Sequence, residues 1–236
     1  MKLVFSDEFD YSGLPDPQKW DYEEGRVRNH EDQFYTRGRL ENARVEDGNL
    51  VITARHEPYQ GAEYTSASLI THGHFDFTYG RVEVRAKIPG GVGTWPAIWL
   101  LGSNIRRVGW PRCGEIDMME NVGFEPFVVH FTIHTQARNW VNGKAKGSQR
   151  VVQDLADDYH LYTLDWDAHK LVLGLDGQPA LEYPKEDESV ASWPFDFNMY
   201  LLLNLAIGGT WGGQHGIDLD IFPAEFKIDY VRIYRP

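Results

Sequence analysis

Between Gly114 and Asn121 the chain reads Glu115-Ile116-Asp117-Met118-Met119-Glu120, three acids in six residues with large apolar side chains between them. That interleaving suits a β-strand with acids on one face, because successive side chains of a strand point to opposite sides. Strict alternation puts Glu115 and Asp117 together and makes Met119, not Glu120, the next residue on their face. One extra residue, a β-bulge at Met118-Met119, returns Glu120 to that face. Three carboxylates on one face repel one another, so at least one should hold its proton to higher pH than a free Glu does. Glycoside hydrolysis uses such an arrangement: one carboxylate attacks the anomeric carbon while a protonated partner gives its proton to the leaving oxygen. On a concave sheet Glu115 and Glu120 can converge toward the roughly 5–5.5 Å separation of a retaining mechanism. An exposed acidic strand or a metal site fits the same spacing, and alternation alone does not choose among the three.

Aromatic residues flank the acids. Trp95, Ala97 and Trp99 share a face in Gly93-Thr94-Trp95-Pro96-Ala97-Ile98-Trp99-Leu100, Trp110 stands just before the acidic segment, and Trp211 lies in Gly208-Gly209-Thr210-Trp211-Gly212-Gly213. Indole faces stack on the C–H faces of sugar rings, and the glycines leave Trp211 room to act as a platform. Core packing is the competing role for each. Trp20 and Trp166 are read as core residues. His130 and His134 suggest zinc by their spacing, but Val128, Val129 and Ile133 favour a strand. Strand residues four apart share a face yet stand about 13 Å apart, too far for one ion. His72 and His74 are read as surface residues.

The elements that must position these groups are short alternating runs separated by Gly, Pro, Asn and Asp, the pattern of an antiparallel sandwich or barrel. Arg81 to Ile88 alternates charged and apolar residues without exception, which predicts a strand with one wet face. Strands are also expected at Leu50 to Ala54, Trp95 to Leu101, Val128 to Thr135, Leu161 to Trp166, Lys170 to Leu175, Tyr200 to Ala206 and Phe226 to Tyr234. Asp47-Gly48 and Asp176-Gly177 supply hairpin turns. Leu155 to His160 reads as a short helical turn and Pro184 to Ser192 as a polar loop.

With 236 residues, no repeat and no compositional break, residues 1–236 are read as one all-β domain. Thirty-five acidic against 23 basic residues, a formal charge of −12, disfavour nucleic acid and anionic membranes as partners. The apolar stretch around Tyr200 to Ile207 is far shorter than the roughly 20 residues of a membrane-spanning helix. Cys113 is the sole cysteine, so no intrachain disulfide forms.

Taken together the segments resemble glycoside hydrolase family 16, and within it the bacterial endo-1,3-β-glucanases called laminarinases. The acidic segment is similar to that family's E-x-D-x-x-E signature in its bulged form. Matching motifs accompany it: Ser6-Asp7-Glu8-Phe9, Asn29-His30-Glu31-Asp32-Gln33-Phe34-Tyr35-Thr36, Tyr79 to Lys87, Gly93 to Trp99, Asn204 to Trp211 and Asp229 to Tyr234. The resemblance implies a β-jelly-roll sandwich of two curved antiparallel sheets with substrate across the concave one. It implies Glu115 as nucleophile, Glu120 as acid/base and Asp117 as a helper that modulates their charge. It also implies that Asn29, Glu83, Arg85, His134 and Asn204 line a sugar cleft with Trp95, Trp99, Trp110 and Trp211. The resemblance further implies that no cofactor serves the chemistry, and that a structural calcium ion is held by Glu8, the Gly48 carbonyl and Asp229. Asp32 departs from the pattern, standing where relatives usually carry an apolar residue, and Arg26, Arg28 and His30 crowd the same loop.

The expected activity is retaining endo-hydrolysis of β-1,3 linkages in a β-glucan by a secreted or cell-surface monomer whose leader is absent from this chain. A mixed-linkage β-1,3-1,4-glucanase or galactan hydrolase is the alternative within enzymes. A jelly-roll lectin that binds glucan without cutting it is the alternative outside them.

Overall fold

A computed structural model describes residues 1–236 as two β-sheets packed face to face. The seven-stranded site sheet runs, in spatial order, Lys146–Val151, Val128–His134, Glu115–Glu120, Thr94–Gly102, Met199–Ile207, Ser68–Ile70 and Asp21–Tyr22. The larger outer sheet runs Gln178–Pro184, Lys170–Leu175, His160–Trp166, Gly80–Lys87, Ala224–Arg235, Asn49–Tyr59, Ala62–Ser66 and Gln33–Tyr35. Lys2–Asp7 and Ala43–Glu46 are attached beside it.

Alternation decides which residues meet between the sheets. Val82, Val84 and Ala86 from the outer sheet join Ile98, Leu100, Ile116, Phe131, Ile133, Leu203 and Leu205 from the site sheet in one core of 45 buried residues. A core of that size needs no disulfide, and Cys113 is buried and free. The neighbours of those site-sheet residues along each strand, Ala97, Trp99, Leu101 and Leu202, form a separate apolar cluster on the opposite face. The site sheet is therefore covered on both faces at its centre, and every residue of Thr94–Gly102 and of Met199–Ile207 is buried.

All nine strands expected from the sequence, the acidic one included, form, with ends shifted by a few residues at most except for Asn49–Tyr59, which continues five residues beyond Ala54. Lys146–Val151 carries no apolar period because it is an edge strand with five of its six residues exposed. The pairing of Gln33–Tyr35 with Ala62–Ser66 is parallel, an exception to the antiparallel expectation. Leu155 to His160 is a non-helical turn that enters the His160–Trp166 strand. The single α-helical turn is instead Ile105–Val108, too short to show a helical period in sequence.

One expectation about sites is corrected by the outer sheet. Glu83 and Arg85 lie on its solvent face, the side of Gly80–Lys87 away from the core and from the site sheet. Arg81 donates to Glu83 at 2.7 Å and to Asp165 at 2.6 Å, and Arg85 donates to Asp229 at 2.6 Å. They form a surface ion-pair ladder, not part of a sugar cleft; alternating charge reports a wet face but not which sheet owns it.

The two acids expected to hold calcium are also paired with arginines on this sheet. Asp229 is held by Arg85, while both oxygens of Glu8 accept from Arg232 at 2.9 and 2.7 Å. A hard cation requires carboxylate oxygens free to coordinate. In this structure both acids are held by different guanidinium groups, so neither presents a carboxylate free to coordinate calcium.

Candidate active site

The bulge falls where the alternation requires it. Glu115, Asp117 and Glu120 oppose Leu101, Trp99 and Ala97 on one neighbouring strand and His134, Thr132 and His130 on the other. The register slips between Asp117 and Glu120, and both Met118 and Met119 are fully buried in the core. All three acids consequently project from the face opposite the core. Gly114 launches the strand at φ +80, where a Cβ would also stand 2.7 Å from Pro194 Cγ; only glycine fits both demands.

Each glutamate is oriented by an indole. Trp110 Nε1 donates to Glu115 Oε2 at 2.9 Å, and Trp95 Nε1 donates to Glu120 Oε1 at 3.1 Å. His134 Nε2 lies 3.4 Å from Asp117 Oδ2 and 3.7 Å from Glu115 Oε1. The histidine thus serves the Glu115 end, whereas the residue opposite Glu120 is His130, which contacts Glu125 at 2.8 Å and Gln149 at 3.1 Å. Ligand atoms of Glu115, Asp117 and His134 fall within 4.8 Å of one another, close enough for a cation, but the protons these acids retain compete with one.

Burial and the charge of Asp117 push Glu115 up to about 8. Asp117 is raised well above its ordinary range by burial and by Glu120. Glu120 is raised by burial against the opposing hydrogen bond from Trp95. Such a trio favours states with few negative charges, so one ionised and one protonated glutamate can coexist near neutral pH.

The cleft floor beyond the acids is a hydrogen-bonded network. Trp99 Nε1 donates to Asn204 Oδ1 at 2.7 Å, Asn204 Nδ2 donates to the Tyr35 hydroxyl at 3.0 Å, and that hydroxyl donates to Glu31 Oε2 at 3.3 Å. Gln33 and Asn29 also donate to Glu31, at 2.8 and 3.3 Å. Asn29 is half-buried, whereas Asn204 is buried with its amide engaged on both sides. Burial holds the Glu31 carboxyl above its ordinary range. Asn29, Glu31, Gln33 and Tyr35 alternate in sequence, a polar period of two that could have marked all four.

The tryptophans divide by exposure. Trp99 is 7% exposed and has the Arg28 guanidinium 4.8 Å above its ring, so it supports Asn204 and Arg28 instead of stacking on sugar. Trp95 is similarly enclosed, with the edge of Trp211 at 5.5 Å. Trp110 and Trp211 remain partly open to the cleft. Arg28, in the loop crowded with cations, turns inward to pair with Glu23, whose other oxygen accepts from Ser68 at 2.7 Å. Asp32 packs against Gly208 and accepts from the Gly209 N–H at 3.3 Å. Among the histidines read as surface residues, His72 is half-buried and stacks on Tyr200 at 4.4 Å. Trp140 carried no assignment from sequence, yet its ring lies 5.9 Å from Trp110.

Comparison with known proteins agrees with this geometry. The model of the glycosyl hydrolases family 16 matches residues 30–232. A β-glucanase of Rhodothermus marinus is 49% identical over 99% of this chain and 85% of its own length. The crystallised laminarinase of that organism superposes with a TM-score of 0.96 at 48% identity, covering 99% of this chain and 97% of the other. A non-specific endo-β-1,3(4)-glucanase, SCLam, crystallised with a gluco-oligosaccharide, also gives 0.96 at 45% identity, covering 100% and 95%. The two sheets thus form the jelly-roll sandwich of those laminarinases, and this chain belongs to glycosyl hydrolase family 16.

Proposed function

We propose that this chain cleaves internal β-1,3 linkages of β-glucans with retention of configuration, by double displacement. The observation that carries the reading is the bulge at Met118-Met119, which brings Glu115, Asp117 and Glu120 onto one face with an indole N–H on each glutamate. Glu115, once ionised, attacks the anomeric carbon and forms a glycosyl ester. Glu120 gives its proton to the departing sugar oxygen and then, as carboxylate, takes a proton from the water that hydrolyses the ester. Asp117, close to Glu115 and His134, governs how the remaining protons are shared. Trp110 and Trp211 supply the open aromatic faces for the sugar chain. A polymeric glucan substrate carries with it an extracytoplasmic place of action.

The name of SCLam, a non-specific endo-β-1,3(4)-glucanase, favours a second reading in which mixed-linkage glucan is also accepted. A lectin is disfavoured because a binder has no use for three mutually repelling acids on one face. Product analysis on a pure β-1,3-glucan, a mixed-linkage glucan and agarose, side by side, tests the proposal. Oligosaccharides from the first substrate are expected; cleavage of agarose alone, or of none, overturns it.

A further inference from the structure

Trp140 is 65% exposed and its neighbour Val141 is 64% exposed, in the excursion between Val128–His134 and Lys146–Val151. The ring packs in none of the three apolar clusters, so the fold gains little from an indole at this position, while a large exposed apolar surface is solvated unfavourably. Its one ring contact is Trp110, at 5.9 Å between centroids and 31° between planes. Trp110 in turn donates its N–H to Glu115. A continuous aromatic line therefore leads from the attacking carboxylate to Trp110 and outward to Trp140.

The backbone beneath Trp140 is pinned. Asn139 is buried, and its side chain donates to the carbonyls of Thr135 and Gln136 at 3.0 and 3.2 Å. Asn142 Oδ1 accepts from the N–H groups of Asn139 and Lys144, at 3.0 and 3.1 Å. The Gly143 N–H closes onto the Trp140 carbonyl at 3.1 Å, and the Ala137 N–H ties the loop to Ala191 at 2.8 Å. An aromatic held open to solvent on a pinned backbone loses less conformational freedom on binding than one on a loose loop, which favours a preorganised contact.

Resting on the glucan reading above, we propose that Trp140 is an outer sugar-binding platform that lengthens the cleft past Trp110. Its occupant is a more distant glucosyl ring of the same chain whose linkage is cut at Glu115 and Glu120. Continuity with Trp110 selects that occupant over a protein partner. The platform distinguishes long chains from short ones and takes no part in bond breaking.

Trp140→Ala and Trp140→Phe test this, with kcat/KM measured on a long β-1,3-glucan and on a short aryl glycoside that ends near the catalytic acids. The Ala variant should lose roughly tenfold on the polymer, mainly through KM, and change little on the short substrate. The Phe variant, which keeps an apolar ring, should recover most of the loss. Thermal melting of both variants should match the unaltered chain, since the ring leaves no core cavity behind. Equal losses on both substrates, or no change in the long-to-short ratio, overturn the platform while leaving the glucanase reading intact. Failure of the unaltered chain to cut either substrate overturns the glucanase reading and the platform with it.

Discussion

Glu115 shows how one environment sets both activity and stability. Its carboxyl, pushed up to about 8 by burial and Asp117, must be ionised to attack in the proposed mechanism. The acidic limb of kcat/KM, which reports the free enzyme, is therefore expected well above the 4.5 of an ordinary glutamate. A limb near 4.5 in the pH–rate profile contradicts that environment. The stability effect has the opposite sense. Between 4.5 and about 8 the folded protein retains a proton that the unfolded chain has released, so this group makes the fold less stable as pH rises through that window. Glu115→Gln should remove the penalty, raising stability on the order of 1 kcal/mol, roughly 2–4 °C in Tm. The gain should be absent below 4.5 and complete by about 8; a gain independent of pH in calorimetry points to a different origin. At this scale the sequence was informative about identity and poor about partners. The acids were legible from their spacing, whereas the links of Glu120 to Trp95 and of Arg28 to Trp99 join residues brought together only by tertiary packing.

At the scale of elements, a strand's period tells which side chains share a face, and the one-residue bulge at Met118-Met119 was readable because three acids had to be reconciled with one face. The period does not tell which sheet a strand joins. Gly80–Lys87 alternates as cleanly as any strand in the chain, yet its charged side faces solvent on the outer sheet. Arg85→Ala should therefore leave KM for glucan unchanged and alter stability by less than about 1 kcal/mol, as is usual for exposed ion pairs. A severalfold rise in KM would return Arg85 to the cleft. Because Arg85 and Arg232 already occupy Asp229 and Glu8, a chelator should not move the melting curve. A lower Tm in EDTA, restored by added calcium, would show that these acids exchange their arginines for a metal. Strands such as Lys146–Val151 were illegible for another reason: an exposed edge imposes no apolar period.

Across the whole molecule the two sheets divide the work. Apolar residues from both fill the space between them, and the far face of the site sheet carries the acids and aromatics. The excess of acids over cations, −12 overall, suits a neutral polymer better than a polyanion. The central claim is that Glu115 and Glu120 divide nucleophile from acid/base, and azide rescue of Glu120→Ala tests it most directly. On natural glucan this variant should be slowed by about 10²–10⁴ for want of a proton donor. On an aryl glycoside whose leaving group needs no proton, the glycosyl ester with Glu115 should still form, and added azide should restore turnover. The account predicts a β-glycosyl azide, because azide enters opposite the Glu115 ester bond. An α-azide from Glu120→Ala, with a β-azide from Glu115→Gly, would contradict the assignment and reverse the two roles.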